Sequence, residues 1–193
     1  MKSIHILAPL CALLALTSCD DDNKPANTGG NPNNGGNNGG NNGGNPNNSV
    51  RSFVGKRVHV VGTEVTESTV ALAGQNFVTN TTTDLDVINE YGSDGMVTAN
   101  GTATITSFSS TAPGTPNLSG QTTPVTNTVP YEFALANDSE TATITVYEED
   151  NTTIITYLSY TSDTTGTYTQ DIDDTVNGVR IVTTGSGTFE ILP

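Results

Sequence analysis

Thr141-Ala142-Thr143-Ile144-Thr145-Val146 is the stretch that decides the fold, because apolar and hydroxyl side chains alternate strictly along it. A period of two places Ala142, Ile144 and Val146 on one face of a strand and the threonines on the other. One apolar and one polar face are typical of antiparallel sheets that have one side in solvent. The stretch therefore predicts an antiparallel β protein.

The chain around this stretch repeats the pattern. Residues 50–193 hold 32 Thr, 16 Val and 8 Ile, and β-branched residues favour strands over helices. Turn signals such as Ser93-Asp94-Gly95 and Asn177-Gly178 lie between alternating runs and predict hairpins. We predict strands at residues 56–62, 64–72, 75–82, 84–91, 96–108, 129–136, 141–148, 152–161, 167–172, 178–184 and 188–192.

The predicted fold class is all-β, with an antiparallel up-and-down meander. Such a meander closes as a barrel or folds as a two-sheet β-sandwich, and the sequence leaves both open. From Ser109 to Val129 the alternation lapses into Ser, Thr, Gly and Pro, which predicts a long loop. The stretch 50–193 is of ordinary single-domain size, and we expect one β domain without disulfides.

The first 18 residues have the pattern of a signal peptide. A positive start at Met1-Lys2 precedes an apolar run, Ile4 to Leu16, that is too short to span a bilayer. The end of the run, Leu16-Thr17-Ser18-Cys19, resembles the lipobox of bacterial lipoproteins. The resemblance implies that Cys19 becomes the first residue of the mature chain and carries a diacylglycerol and an acyl chain, with no other cofactor.

Residues 19–49 predict a tether between this anchor and the domain. Residues 23–49 are nearly all Asn, Gly and Pro, a composition that cannot form a core. The acidic run Asp20, Asp21 and Asp22 resembles the signal that sends some lipoproteins to the outer face of the bacterial outer membrane. In other systems Asp20 resembles an inner-membrane retention signal, and a plain solvated charge run is the third interpretation.

A second resemblance concerns the domain itself. Phe53-Val54-Gly55-Lys56-Arg57, Tyr91-Gly92-Ser93-Asp94-Gly95-Met96-Val97 and the stretch from Tyr131 to Ile144 resemble the lipocalin-like domains of bacterial surface lipoproteins. Where that family has a Trp that closes the barrel floor, this chain has Arg57. The resemblance implies a non-catalytic barrel, running from Phe53 to Leu192, that binds a small apolar molecule inside. The alternative is a β-sandwich module for adhesion or interaction.

Small side chains on one predicted strand make it a candidate cavity lining. Ala99, Gly101 and Ala103 alternate with polar residues, so they share a face that lacks bulk. This either leaves a pocket or lets another sheet approach closely, and the packing interpretation is favoured. The candidate lining residues are Val97, Ala99, Ala103 and Ile105.

Residues with catalytic or metal-binding chemistry are few. His59 is the one His of the mature chain and alternates with Val58 and Val60, which predicts a solvated strand His; we expect no enzyme. Asp171, Asp173 and Asp174 precede Asn177-Gly178 as in a partial calcium loop, but the same dipeptide already predicts a hairpin turn. With 17 acidic against 4 basic residues, the domain would repel nucleic acid and anionic lipid. The sequence therefore leaves the lipid anchor as the membrane contact and names no protein or glycan partner.

Overall fold

The computed structural model describes residues 50–136, 140–147, 153–176 and 178–193. In this part of the chain every regular element is a strand, and the eight strands pair in chain order, all antiparallel, until β8 pairs with β1 and closes a barrel. The up-and-down meander is confirmed, and one closed sheet replaces the sandwich alternative. The strands are β1 Arg57–Leu72, β2 Gln75–Tyr91, β3 Met96–Ser110, β4 Thr122–Leu135, β5 Thr141–Tyr147, β6 Thr153–Tyr160, β7 Thr165–Val176 and β8 Val179–Leu192.

Three of the predicted strand breaks are wrong. β1 runs straight through Gly62, β2 runs through the predicted break at 82–84, and β8 runs through Gly185 to Gly187. Between Thr82 and Thr83 the register with β3 shifts by one residue, which is a β-bulge and not a turn. The eleven predicted strands therefore correspond to eight in the described part of the chain.

Glycines within the strands bring neighbouring strands close together. Gly62 and Gly187 are directly paired, and a Cβ on Gly187 would lie 2.2 Å from the Val61 carbonyl oxygen. On Gly101 a Cβ would lie 2.2 Å from the Asp86 carbonyl oxygen. Bare backbone at such points lets a sheet bend sharply enough to close. These positions require glycine because the clashing atoms belong to backbone, which cannot move aside cheaply.

The predicted long loop is shorter than expected. It covers residues 111–121, and β4 already begins at Thr122, so Pro124 lies within a strand. The Tyr131 N–H donates to the Gly95 carbonyl oxygen, which lies on the β3 side of β4. Because successive backbone N–H groups of a strand point to opposite sides, the nitrogens of Pro130 and Pro124 point away from β3. Described pairing of β4 with β5 begins only at Tyr131, so neither proline interrupts a ladder there.

One end of the barrel is closed by the segment that precedes β1. Phe53 is 1% exposed, and its ring centre lies 5.2 Å from those of Tyr91 and Phe189 and 5.4 Å from that of Phe133. We call this end the floor, and the buried apolar residues around Phe53 the floor cluster. Arg57 points outward and pairs with Glu90 at 3.2 Å. The floor is thus closed by Phe53, and Arg57 takes no part in it.

Candidate binding site inside the barrel

The four predicted lining residues all face the barrel interior. Each is at most 5% exposed: Val97 belongs to the floor cluster, and Ala99 and Ala103 pack with Val87 and Val125. Leu85 is packed against this second group. We call these five residues the apolar wall: Leu85, Val87, Ala99, Ala103 and Val125. Ile105, 1% exposed, is on the same inward face of β3 toward the opposite end from the floor.

Above the floor cluster the interior is lined by polar side chains. The name polar layer is used for the buried polar residues of the strands, all at most 8% exposed. They are Glu64, Thr66, Ser68, Thr79, Thr81, Thr83, Gln170 and Thr183. Polar groups are buried in proteins only with hydrogen-bond partners or at a free-energy cost. The hydroxyls of Thr66 and Thr183, for example, lie 3.0 Å apart and pair with each other.

Glu64 is the one buried carboxyl of the described residues. Its neighbours across the ladder are Thr83 on β2 and Gly185 on β8, where the bare backbone leaves room for the Glu64 side chain. Gln170 Nε2 donates to Glu64 Oε1 at 3.2 Å, and Gln170 Oε1 accepts from Thr156 Oγ1 at 3.2 Å. Burial raises the pKa of Glu64 to about 7, against the smaller lowering effect of the Gln170 hydrogen bond.

Tyr168 lies next to Glu64 in the interior. Its hydroxyl occupies the space above Gly62, where a Cβ would lie 2.2 Å from the phenol oxygen, and Gly62 is the inward residue before Glu64 on β1. Burial, with a further contribution from the Glu64 charge, raises the pKa of Tyr168 to about 12. The phenol is therefore a neutral donor. It is 6% exposed and has no hydrogen-bond partner among the described residues.

Neither Glu64 nor Gln170 is among the site residues predicted from the sequence. Reading β1 without a break would have placed Glu64 on the same face as Val58, Val60 and Gly62, since all have even numbers along one strand. Gly166, Tyr168, Gln170 and Ile172 share a face of β7 in the same way. The signal was present, and the predicted strand end at Gly62 concealed it.

The three candidate calcium ligands do not share one face of β7. Asp171 and Asp173 are on the outward face of β7, whereas Asp174 has the opposite parity. Asp173 accepts two hydrogen bonds from Arg180, at 3.0 and 2.7 Å, which lower the pKa of Asp173 below its ordinary value. No group of three His, Cys, Asp or Glu side chains within the described ranges is placed to hold a metal ion.

The outer face of the barrel carries two further features. His59 points outward, with Nε2 2.7 Å from Asp86 Oδ1, and lines an open groove of about 370 Å³ between β7, β8 and β1. On the short strands β5 and β6, three large side chains are 38–53% exposed: Tyr147, Ile155 and Tyr157. Tyr160, by contrast, is in the floor, where its hydroxyl donates to the Arg51 carbonyl.

The predicted anchor and sorting residues Cys19, Asp20, Asp21 and Asp22 lie outside the described residues. Within residues that are described, no helix is long and apolar enough to cross a membrane. Comparisons of the chain with protein-family models, with curated proteins and with solved structures each found no match.

Proposed function

We propose that this chain is a lipoprotein anchored through Cys19 in the bacterial outer membrane and displayed on its outer face. Its barrel would be a non-catalytic, lipocalin-like module that binds a small molecule inside. The observation that carries the binding proposal is the composition of the barrel interior. A closed barrel whose only task is stability is best filled with apolar side chains, whereas this one buries a carboxyl, an amide and several hydroxyls beside an apolar wall.

The two kinds of interior surface suggest how a ligand would be held. The apolar wall, with the small side chains of Ala99 and Ala103, suits the apolar body of a ligand. The polar layer offers a few oriented hydrogen-bonding groups, which commonly fix the position of a ligand in such sites.

The position of residue 50 bears on the orientation of the barrel. The described chain enters at the floor, immediately before the buried Phe53. A tether that ends there would hold the floor towards the membrane, and the turn between β1 and β2 and the loop at 111–121 would face away. The end of the barrel nearest the polar layer would then be the end that meets molecules from outside the cell.

Interior binding is tested with a fluorescent apolar probe, N-phenyl-1-naphthylamine, and a variant that fills the apolar wall. Ala99→Phe should abolish the fluorescence increase, because residue 99 is buried against Val87 and Val125. The matched control is Asn100→Phe, since Asn100 is exposed on the outer face of the same strand. Equal fluorescence with both variants would contradict interior binding.

The anchor and its location need separate tests. Palmitate label should be found on the protein in growing cells and should be lost in Cys19→Ala; label that persists in the variant would refute lipidation at this residue. Protease added to intact cells should release the barrel. If it is released only after lysis, the outer-face location is wrong.

A second candidate function rests on the outer face of β5 and β6. Tyr147, Ile155 and Tyr157 are large, exposed and close together across the paired strands, as side chains at interaction surfaces commonly are. An adhesion or interaction module would use this surface and not the interior. Tyr157→Ser would then reduce attachment of cells to a protein- or glycan-coated surface, while Ala99→Phe would leave attachment unchanged.

A further inference from the structure

Among the described residues, no positively charged side chain is paired with the Glu64 carboxyl inside the barrel. The described Lys, Arg and His side chains are Arg51 and Lys56 beside the floor, and Arg57, His59 and Arg180 on outward strand positions. The groups that face Glu64 are Thr83 from β2, Gly185 from β8, and Gln170 and Tyr168 from β7. Only Tyr168 among them titrates, and it becomes an anion, never a cation. The charge of an ionised Glu64 would therefore not be compensated by any of the described side chains.

The hydrogen-bonding capacity around Glu64 is also incompletely used. A carboxylate can accept about four hydrogen bonds, and the described side chains supply one, from Gln170. The adjacent Tyr168 hydroxyl has no partner although it is buried. A phenol can accept one hydrogen bond while it donates another. The structure thus places a strong acceptor and a free hydroxyl together at a point without a counter-charge.

The backbone beside these groups carries no side chains. A Cβ on Gly185 would lie 3.3 Å from Glu64 Cγ and 3.6 Å from Gln170 Cβ, and Gly62 and Gly187 border the Tyr168 ring. The glycines of β8 and β1 therefore let the Glu64, Gln170 and Tyr168 side chains pack directly against the backbone at this level, which brings the polar groups together. The apolar wall begins beside this site, since Leu85 is paired with Gly62.

We infer that Glu64 and Tyr168 receive the protonated amine of a small amphiphilic ligand, whose apolar part lies against the apolar wall. The inference rests on the proposed binding function and specifies its ligand class. An alkylammonium group supplies the positive charge that the site lacks and N–H donors for Glu64 and the phenol oxygen. A neutral alcohol would supply a hydrogen bond without the charge. The amine should therefore bind more tightly than the alcohol of the same chain length.

The probes that separate these cases are octylammonium and 1-octanol, titrated calorimetrically into the domain. Octylammonium should bind the natural protein and should lose about tenfold or more in affinity in Glu64→Gln, since a charge-assisted hydrogen bond is lost. Octanol should bind weakly and respond little to this substitution. Tyr168→Phe should weaken octylammonium binding less than Glu64→Gln does.

Proton release gives a readout that a merely structural role of Glu64 would not produce. At pH 6 Glu64 is mostly protonated, because its pKa is about 7. Pairing with an ammonium would expel that proton, so titrations in buffers of different ionisation enthalpy should show release of nearly one proton per ligand. Glu64→Gln should release none. If Glu64→Gln does not fold, Glu64→Asp takes its place, with weaker binding and retained proton release.

The outcomes distinguish this inference from the proposed function. If octylammonium and octanol both bind, compete with the naphthylamine probe and ignore Glu64→Gln, the barrel is a binding module but the amine assignment is wrong. If neither ligand nor the probe binds, the binding function itself fails. Binding of octylammonium alone, with proton release that Glu64→Gln abolishes, is the expected result.

Discussion

Replacement of Glu64 by Gln should make the domain more stable at neutral pH, by an amount that depends on pH in a defined way. Gln keeps the size of the side chain and can still pair with Gln170, but it cannot ionise. Burial raises the pKa of Glu64 from 4.5 to about 7 in the folded state. A pKa shift of this size corresponds to about 3 kcal/mol of free energy of unfolding.

The sign follows from proton binding in the two states. Below pH 4.5 Glu64 is protonated in both the folded and the unfolded chain, and its contribution to stability is fully present. Between pH 4.5 and 7 the unfolded chain has lost this proton and the folded chain has kept it, so stability falls as pH rises. Above pH 7 Glu64 is ionised in both states, and the whole contribution of about 3 kcal/mol is lost.

The assay is urea unfolding of the natural domain and of Glu64→Gln at several pH values from 4 to 8.5. The difference in free energy of unfolding should grow by about 3 kcal/mol across this range in favour of the variant, or roughly 10 °C in melting temperature at pH 8. Glu67→Gln is the matched control, because Glu67 is exposed on the outward face of the same strand. A Glu64→Gln difference that stays constant with pH would refute a buried, neutral Glu64.

Three further substitutions test the rest of the barrel. Thr66→Val alone should lower the free energy of unfolding by about 1–3 kcal/mol, because it leaves the Thr183 hydroxyl buried without its partner at 3.0 Å. The double variant Thr66→Val with Thr183→Val should lose much less. Equal losses in urea unfolding would contradict the pairing. Gly101→Ala should lower the free energy of unfolding by clearly more than the roughly 1–2 kcal/mol expected for Gly114→Ala, because only the Gly101 Cβ would meet backbone. If calorimetry ranks the two variants in the reverse order, the close approach of β2 and β3 is contradicted. Phe53→Ala should lower the free energy of unfolding by about 3–5 kcal/mol because Phe53 is buried, and Val50→Ala by less than about 0.5 kcal/mol because Val50 is exposed. Similar melting temperatures for the two variants would show that Phe53 does not close the floor.

The fold could be predicted where local pattern and tertiary environment agree. In β5 the apolar residues Ala142, Ile144 and Val146 are buried and the threonines are not, as strict alternation predicts. β3 likewise puts the predicted Val97, Ala99, Ala103 and Ile105 inside. Short antiparallel hairpins with turn residues between them are local features, and a sequence carries enough information for them.

The remaining features depend on contacts that are distant in the sequence. Gly62 was predicted to end a strand, and only its pairing with Gly187 shows that it is a point of close approach within one. Phe53 lies outside every strand, and it closes the floor because rings from β2, β4 and β8 converge there. Closure itself is the pairing of the first strand with the last, which no local pattern encodes.

The polar part of the candidate site was not predicted, for a related reason. In β1 the inward positions change from Val58 and Val60 to Glu64, Thr66 and Ser68, while Val61 and Val65 point outward and are 44% and 49% exposed. Hydrophobic alternation read alone would place the valines inside. A polar interior contradicts the rule from which strand faces are predicted, and departures of this kind are most often found at functional sites.

A direct measurement of the Glu64 pKa tests the central claim that this barrel has a polar interior, suited to binding a ligand, in which a carboxyl is buried. The side-chain carboxyl carbon of Glu64, assigned by comparison with Glu64→Gln, can be followed by ¹³C NMR as the pH of the folded domain is changed. A titration midpoint near pH 7 is expected, because Glu64 is buried with Gln170 as its hydrogen-bond donor. A midpoint near 4.5, the ordinary value for an exposed Glu, would place this carboxyl in solvent and contradict the account.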